Sequence, residues 1–121
     1  MARILIVDDS PTETFAFKRM LEDNGHQTSV ANNGEEGIAK ARDERPDLIL
    51  MDVVMPGMNG FQATRKLSRD PDTKTIPIIM VTTKDQETDR IWGLRQGARE
   101  YVTKPAAEGE LMGKIRGLLA S

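Results

Sequence analysis

The chain has 121 residues, 38% of them apolar and 30% charged, with a formal net charge of −2. That length suits one domain with its own apolar core, and mixed charge argues against a protein held on nucleic acid by phosphate neutralisation. There is no cysteine, which removes disulfides and thiol chemistry. No apolar run is long enough for an export signal or a membrane span, so a single cytoplasmic domain over residues 1–121 is expected.

In chain order, short apolar runs alternate with helical stretches five times. Ile4 to Val7 is a continuous apolar run of the kind that forms a strand buried on both faces, and Asp8 and Asp9 end it. Ser10-Pro11-Thr12-Glu13 reads as a helix start: Ser10 caps, Pro11 suits the first helical position and Glu13 completes a capping box. Asn24-Gly25 stops that helix. Thr28 to Ala31 is a weaker strand. Asn33-Gly34-Glu35-Glu36 opens a second helix with a cap and early acids, and this helix ends before Pro46. His26, just after Asn24-Gly25, reads as a loop or strand-start residue rather than a catalytic one.

Leu48 to Met51 is the next continuous apolar run and leads into Asp52. A helix over Gly60 to Arg69 follows, then the run Ile78 to Val81, which leads into Thr82 and Thr83. The pattern predicts a fourth helix over Lys84 to Gln96, with Ile91, Leu94 and Ala98 on one stripe assigned to the core. Trp92 lies about 100° round from Ile91, which makes it a partly exposed candidate for an interface anchor. Tyr101 to Thr103 is a short strand leading into Lys104 and Pro105. A last helix over Glu108 to Ala120 puts Leu111, Ile115, Leu118 and Leu119 on one face. Met51, Met80 and Met112 read as core filler.

Strand–helix alternation of this kind implies an α/β fold: a doubly wound parallel sheet with helices on both faces and right-handed crossovers. Functional crevices in such sheets lie beyond the carboxyl ends of the strands. Asp8, Asp9, Asp52, Thr82 and Lys104 all occupy such ends. Singly, each is more often a cap, a turn residue or a solvated charge. Together they would bring three carboxylates, a hydroxyl and an ammonium to one rim. Clustered carboxylates repel unless a cation joins them, and an oxygen-only donor set favours magnesium over zinc. Lys104 and Thr82 suit a phosphoryl group, and one carboxylate is a candidate nucleophile that would form an aspartyl phosphate. The residues alone support a magnesium–phosphate site without naming its reaction.

The same residues carry a resemblance. Ile4-Leu5-Ile6-Val7-Asp8-Asp9-Ser10, Leu50-Met51-Asp52, Met55-Pro56-Gly57-Met58-Asn59-Gly60, Val81-Thr82 and Tyr101-Val102-Thr103-Lys104-Pro105 resemble, in order and spacing, the CheY-like response-regulator receiver domains. The opening Met1 to Glu13 and the stretch Val81 to Asp89 are most similar to regulators of twitching motility and type IV pili, of the PilH kind. The resemblance implies a flavodoxin-like (βα)5 fold with strand order 2-1-3-4-5 and no output domain. It implies that Asp52 accepts a phosphoryl group from a histidine kinase of a chemotaxis-like system. Asp9 would bind the metal directly, Asp8 would hold metal-bound water, and the Val54 backbone carbonyl would complete the protein ligands to magnesium. Thr82 and Lys104 would contact phosphoryl oxygens, Tyr101 would be the switch aromatic, and the peptide before Pro105 would be cis. A downstream protein would dock on the fourth helix, fifth strand and fifth helix, with Trp92 and Tyr101 in reach. Neither nucleic acid nor membrane is an expected partner, and a monomer is the simplest state.

Three residues depart from the family pattern. Thr83 stands where a smaller residue is common, Val54 is apolar at a position that tunes hydrolysis of the aspartyl phosphate, and Ala106 replaces a larger apolar residue. Two other function classes compete with a phosphorylation switch. One is a magnesium-dependent phosphatase working through an aspartyl phosphate, which usually carries a second acid where this chain has Val54. The other is a non-phosphorylated adaptor that keeps only the fold.

Overall fold

The continuous apolar runs form the centre of a parallel sheet. The structure is a computed structural model, and it describes residues 1–120. The strands are β1 Arg3–Val7, β2 Gln27–Ala31, β3 Leu48–Met51, β4 Ile78–Thr82 and β5 Glu100–Thr103. They alternate with helices α1 Pro11–Asp23, α2 Gly34–Glu44, α3 Gly60–Arg69, α4 Glu87–Gln96 and α5 Glu108–Leu119. All pairings are parallel and the strand order is β2-β1-β3-β4-β5, as the resemblance implied. The central strands β1, β3 and β4 are almost wholly buried, whereas β2 and β5 lie at the sheet edges and are only partly so. That difference explains why the two edge strands give the weaker apolar signal in the sequence.

Because successive strand residues face opposite sides, the sheet splits the core in two. Leu5, Val7, Ile49, Met51, Ile78 and Met80 face one side and pack with Ile38, Ala41, Ala63, Leu67 and Ala98. Ile4, Ile6, Leu48, Leu50, Ile79, Val81 and Val102 face the other and pack with Leu21, Leu111, Met112 and Ile115. The first side carries α2, α3 and α4, and the second carries α1 and α5. Burying each large aliphatic side chain contributes about 1.5–3 kcal/mol. Met51, Met80 and Met112 are core residues, as the sequence suggests. No helix among the described residues is long and apolar enough to cross a membrane.

Helix caps follow the local sequence with one exception. Asn33 Oδ1 accepts from the Glu36 N–H at 2.8 Å, and Asn59 and Gln62 form a reciprocal capping box at 2.9 Å in each direction. Ser10 does cap α1, its hydroxyl accepting from the Glu13 N–H at 3.3 Å. The capping box expected there is not formed, because the Ser10 N–H donates to Asp8 Oδ1 at 2.9 Å and the Glu13 carboxylate pairs with Lys104.

Two expectations for α4 need correction. The helix begins at Glu87 rather than Lys84. Lys84 is used otherwise: its N–H donates to the Thr82 hydroxyl and its carbonyl accepts from the Tyr101 hydroxyl. The core stripe of Ile91, Leu94 and Ala98 is also not what the helix buries. Ala98 is buried, but Ile91 is 42% exposed and Leu94 is half-buried. The inward face is set by Gly93, where a Cβ would lie 2.7 Å from the Met80 sulfur and 3.0 Å from Tyr101 Cδ2. A glycine allows that approach without displacing Met80 or Tyr101, and Ile91, two residues earlier, faces outward.

Candidate functional site

The strand ends converge because the register aligns them. Val7 pairs with Met51, Met51 with Met80, and Thr82 with Thr103. The backbone ladder continues one step past the strands: Asp8 N–H donates to Ala31, Asp52 N–H to Val7 and Lys104 N–H to Thr82. These bonds anchor the three charged residues at one edge of the sheet. The Lys104–Pro105 peptide is cis.

The carboxylates of Asp8, Asp9 and Asp52 offer oxygens that all lie within 4.8 Å of one another. Asp8 is 2% and Asp52 8% exposed, while Asp9 faces solvent. Lys104 Nζ lies 2.9 Å from Asp8 Oδ2 and 3.7 Å from Asp52 Oδ1, and it also pairs with Glu13 Oε2. Asp52 Oδ1 accepts the Val53 N–H at 2.8 Å.

Burial and the nearby Asp8 charge push the Asp52 carboxyl above its ordinary range, against the opposing pull of Lys104 and the Val53 N–H. For Lys104, burial disfavours the charge, but hydrogen bonds to Glu13 and Asp8 and the charge of Asp52 outweigh it and hold the ammonium above its usual value. Among the described residues, four carboxylates here meet a single ammonium, which leaves excess negative charge on a largely buried edge. An all-oxygen donor set with that excess fits a hard divalent cation.

Thr82 is fully buried at the end of β4, and its hydroxyl accepts from the Lys84 N–H at 3.3 Å. Tyr101 is half-buried against the core, and its hydroxyl donates to the Lys84 carbonyl at 2.8 Å. Both residues of the expected switch pair therefore bond the backbone of one residue, Lys84. Burial, with the Asp89, Asp52 and Asp85 charges, pushes the Tyr101 phenol up to about 12. Val54 follows Asp52 by two residues and is 58% exposed, Thr83 is exposed, and Ala106 packs partly against the core. Trp92 is 48% exposed on α4, as expected, and Ile91 joins it at the surface.

The sequence reading missed two residues of this neighbourhood. Local sequence gives Glu13 a helix-capping role, yet its carboxylate belongs to the charged cluster. Its one local signal is a place on the first turn of α1, four residues after Asp9. Gly60 lies so close to the acceptor candidate that a Cβ on it would fall 2.0 Å from the Asp52 carbonyl oxygen. A surface hollow of about 870 Å³, lined by Arg42, Met58, Arg65 and Arg69 among others, lies apart from the carboxylates. The buried, paired charges make the strand ends the chemical centre instead.

Comparison with known proteins agrees with this geometry. The family model described as the response regulator receiver domain matches residues 4–116. Protein PilH of Pseudomonas aeruginosa is 62% identical over 120 residues, covering 99% of each chain. The response regulator PleD of Caulobacter vibrioides is 41% identical over 97% of this chain, which spans 26% of that longer protein. The solved structure of Vibrio cholerae chemotaxis protein CheY4 superposes with a TM-score of 0.91 at 32% identity, covering 98% of both chains. The receiver domain of a sensor histidine kinase from Pseudomonas aeruginosa, described with a magnesium ion coordinated in its active-site cleft, gives a TM-score of 0.92 at 29% identity over 99% of this chain and 98% of that one. With fold, strand order and motifs in agreement from end to end, this chain belongs to the response regulator receiver domain family.

Proposed function

We propose that the protein is a stand-alone phosphorylation switch in which Asp52 accepts a phosphoryl group from a histidine kinase. The observation that carries this reading is the trio of carboxylates within 4.8 Å of one another, two of them paired with the buried Lys104. Magnesium would be held directly by Asp9, Asp52 and the Val54 carbonyl, with Asp8 holding metal-bound water. When bound, it supplies positive charge that offsets these carboxylates and the oxygens of the transferring group.

An Asp52 carboxylate oxygen attacks the phosphorus of a phosphohistidine. The new O–P bond forms as the P–N bond breaks, and the imidazole leaves with the electron pair and takes a proton from water. Phosphoryl transfer asks for in-line positioning and charge neutralisation. Lys104 serves both, and the bond from the Val53 N–H orients the Asp52 carboxylate. Thr82 would turn its hydroxyl to the phosphoryl oxygens and so exchange its present bond from Lys84. Tyr101, tied to the same Lys84, would register that exchange and bias the face of α4, β5 and α5 between two conformations.

The 62% identity to PilH supports placing this switch in the control of type IV pilus twitching motility. Magnesium-dependent labelling by acetyl phosphate tests the acceptor: intact-mass spectrometry should find one phosphoryl group on wild type and none on Asp52→Asn. Equal labelling of the two would overturn the assignment.

A further inference from the structure

Lys104 does not point squarely at Asp52. Its ammonium is within hydrogen-bonding distance of Asp8 at 2.9 Å and of Glu13, while Asp52 stays at 3.7 Å, an ion pair without a hydrogen bond. The same nitrogen lies over the ring of Phe17, 5.8 Å from its centroid. Glu13 and Phe17 are four residues apart on α1 and so share one face of that helix. One helix face therefore engages the Lys104 ammonium through both residues. The Lys104 side chain is 6% exposed and that of Glu13 is 39% exposed, so the pair sits at the rim with its cation inside.

We infer that Glu13 is a positioning residue that draws the Lys104 ammonium toward α1 and away from Asp52, so that a phosphoryl group on Asp52 competes with Glu13 for Lys104. An ammonium has three donors. Two are committed to Asp8 and Glu13. A phosphoryl group on Asp52 gains its full contact with Lys104 only as the nitrogen swings from Glu13 toward it. Glu13 thus favours the resting conformer and lowers the population of the phosphorylated-like one. This inference rests on Asp52 being the acceptor, and it concerns the regulation of that site.

Beryllofluoride, an anionic mimic of the phosphoryl group, is the probe, titrated with magnesium into the full chain by isothermal calorimetry. Glu13→Gln removes the charge, and Glu13→Asp keeps the charge but shortens the reach. Both variants should bind beryllofluoride about fivefold more tightly than wild type, the size expected when a partly exposed ion pair no longer competes. In a Lys104→Met background, Glu13→Gln should have no further effect. A capping role in α1 would act with or without the ammonium, so a persisting effect overturns the inference. Tightening by Glu13→Gln alone would reveal through-space charge rather than a held lysine and would also overturn it, as would unchanged or weaker binding by both variants. Failure of the acceptor reading looks different: wild type would not bind the probe, or Asp52→Asn would bind it equally well.

Discussion

Gly60 packs directly on the backbone of Asp52: a Cβ on Gly60 would lie 2.0 Å from the Asp52 carbonyl oxygen and 2.8 Å from its carbonyl carbon. The Gly60 N–H also donates to the Val53 carbonyl at 2.9 Å, which ties the first turn of α3 to the acceptor strand. The obstructing atoms are main chain, so no side-chain rotation relieves the clash. Gly60→Ala should push α3 off the end of β3, cost about 1–3 kcal/mol by overpacking and slow labelling by acetyl phosphate. Thermal melts and a labelling time course check both effects; a variant with wild-type stability and rate would show that this approach positions nothing.

Asp52 destabilises the fold it serves. Its folded-state pKa is raised, chiefly by burial and by Asp8. Above the ordinary value of 3.8, the folded chain holds a proton that the unfolded chain has released, so stability falls as pH rises through the window up to the raised value and stays lower beyond it. Asp52→Asn should therefore raise the neutral-pH Tm. The advantage should disappear in acid, where Asp52 is neutral in both states, and melts across the pH range measure this.

Magnesium should narrow that gap. At tenfold its Kd, a ligand that binds only the folded state stabilises by about 1.4 kcal/mol. Wild type should gain this with magnesium, and Asp52→Asn should gain less at the same concentration because one of its three carboxylates is gone. Differential scanning calorimetry with and without chelator reads the difference, and equal gains would remove Asp52 from the metal ligands.

Tyr101 is the single tyrosine of the chain, so its ionisation is directly visible by absorbance. With its phenol pushed from 10.0 up to about 12, native protein should form phenolate well above the pH at which unfolded protein does. The sign follows from proton binding: stability from Tyr101 is fully present below pH 10 and is lost as pH rises toward 12. Tyr101→Phe should abolish that window and cost about 0.5–1.5 kcal/mol through the lost bond to the Lys84 carbonyl.

Trp92 and Ile91 are 48% and 42% exposed on α4, on the face proposed for output. Trp92→Ala should leave stability within about 0.5 kcal/mol of wild type, and iodide should quench the fluorescence of this single tryptophan efficiently. A large loss of stability in denaturant titrations would mean that Trp92 supports the fold rather than a partner.

The strands and their ends were legible because they are one-dimensional patterns. A buried central strand must be continuously apolar, and a carboxylate that interrupts it marks where the sheet meets solvent; Ile4 to Val7 with Asp8 and Leu48 to Met51 with Asp52 show this directly. The face of α4 was not legible. Hydrophobicity favoured Ile91 as a core residue, but the closest approach occurs at Gly93, and a missing side chain leaves no apolar signal.

By itself, then, the sequence determined the α/β class, the buried strands and the charged residues at their ends, since burial and capping act on neighbouring residues. Only the tertiary structure decided which charges meet. Glu13 and Lys104 are 91 residues apart, and nothing local distinguishes a glutamate that caps its own helix from one that reaches across to a lysine on β5's far end. Asp8 took the Ser10 N–H that Glu13 was expected to accept, and that freed the Glu13 carboxylate for the buried ammonium. The choice follows from energetics across the fold: a nearly buried ammonium beside carboxylates gains more from another charged partner than a helix end gains from a second cap.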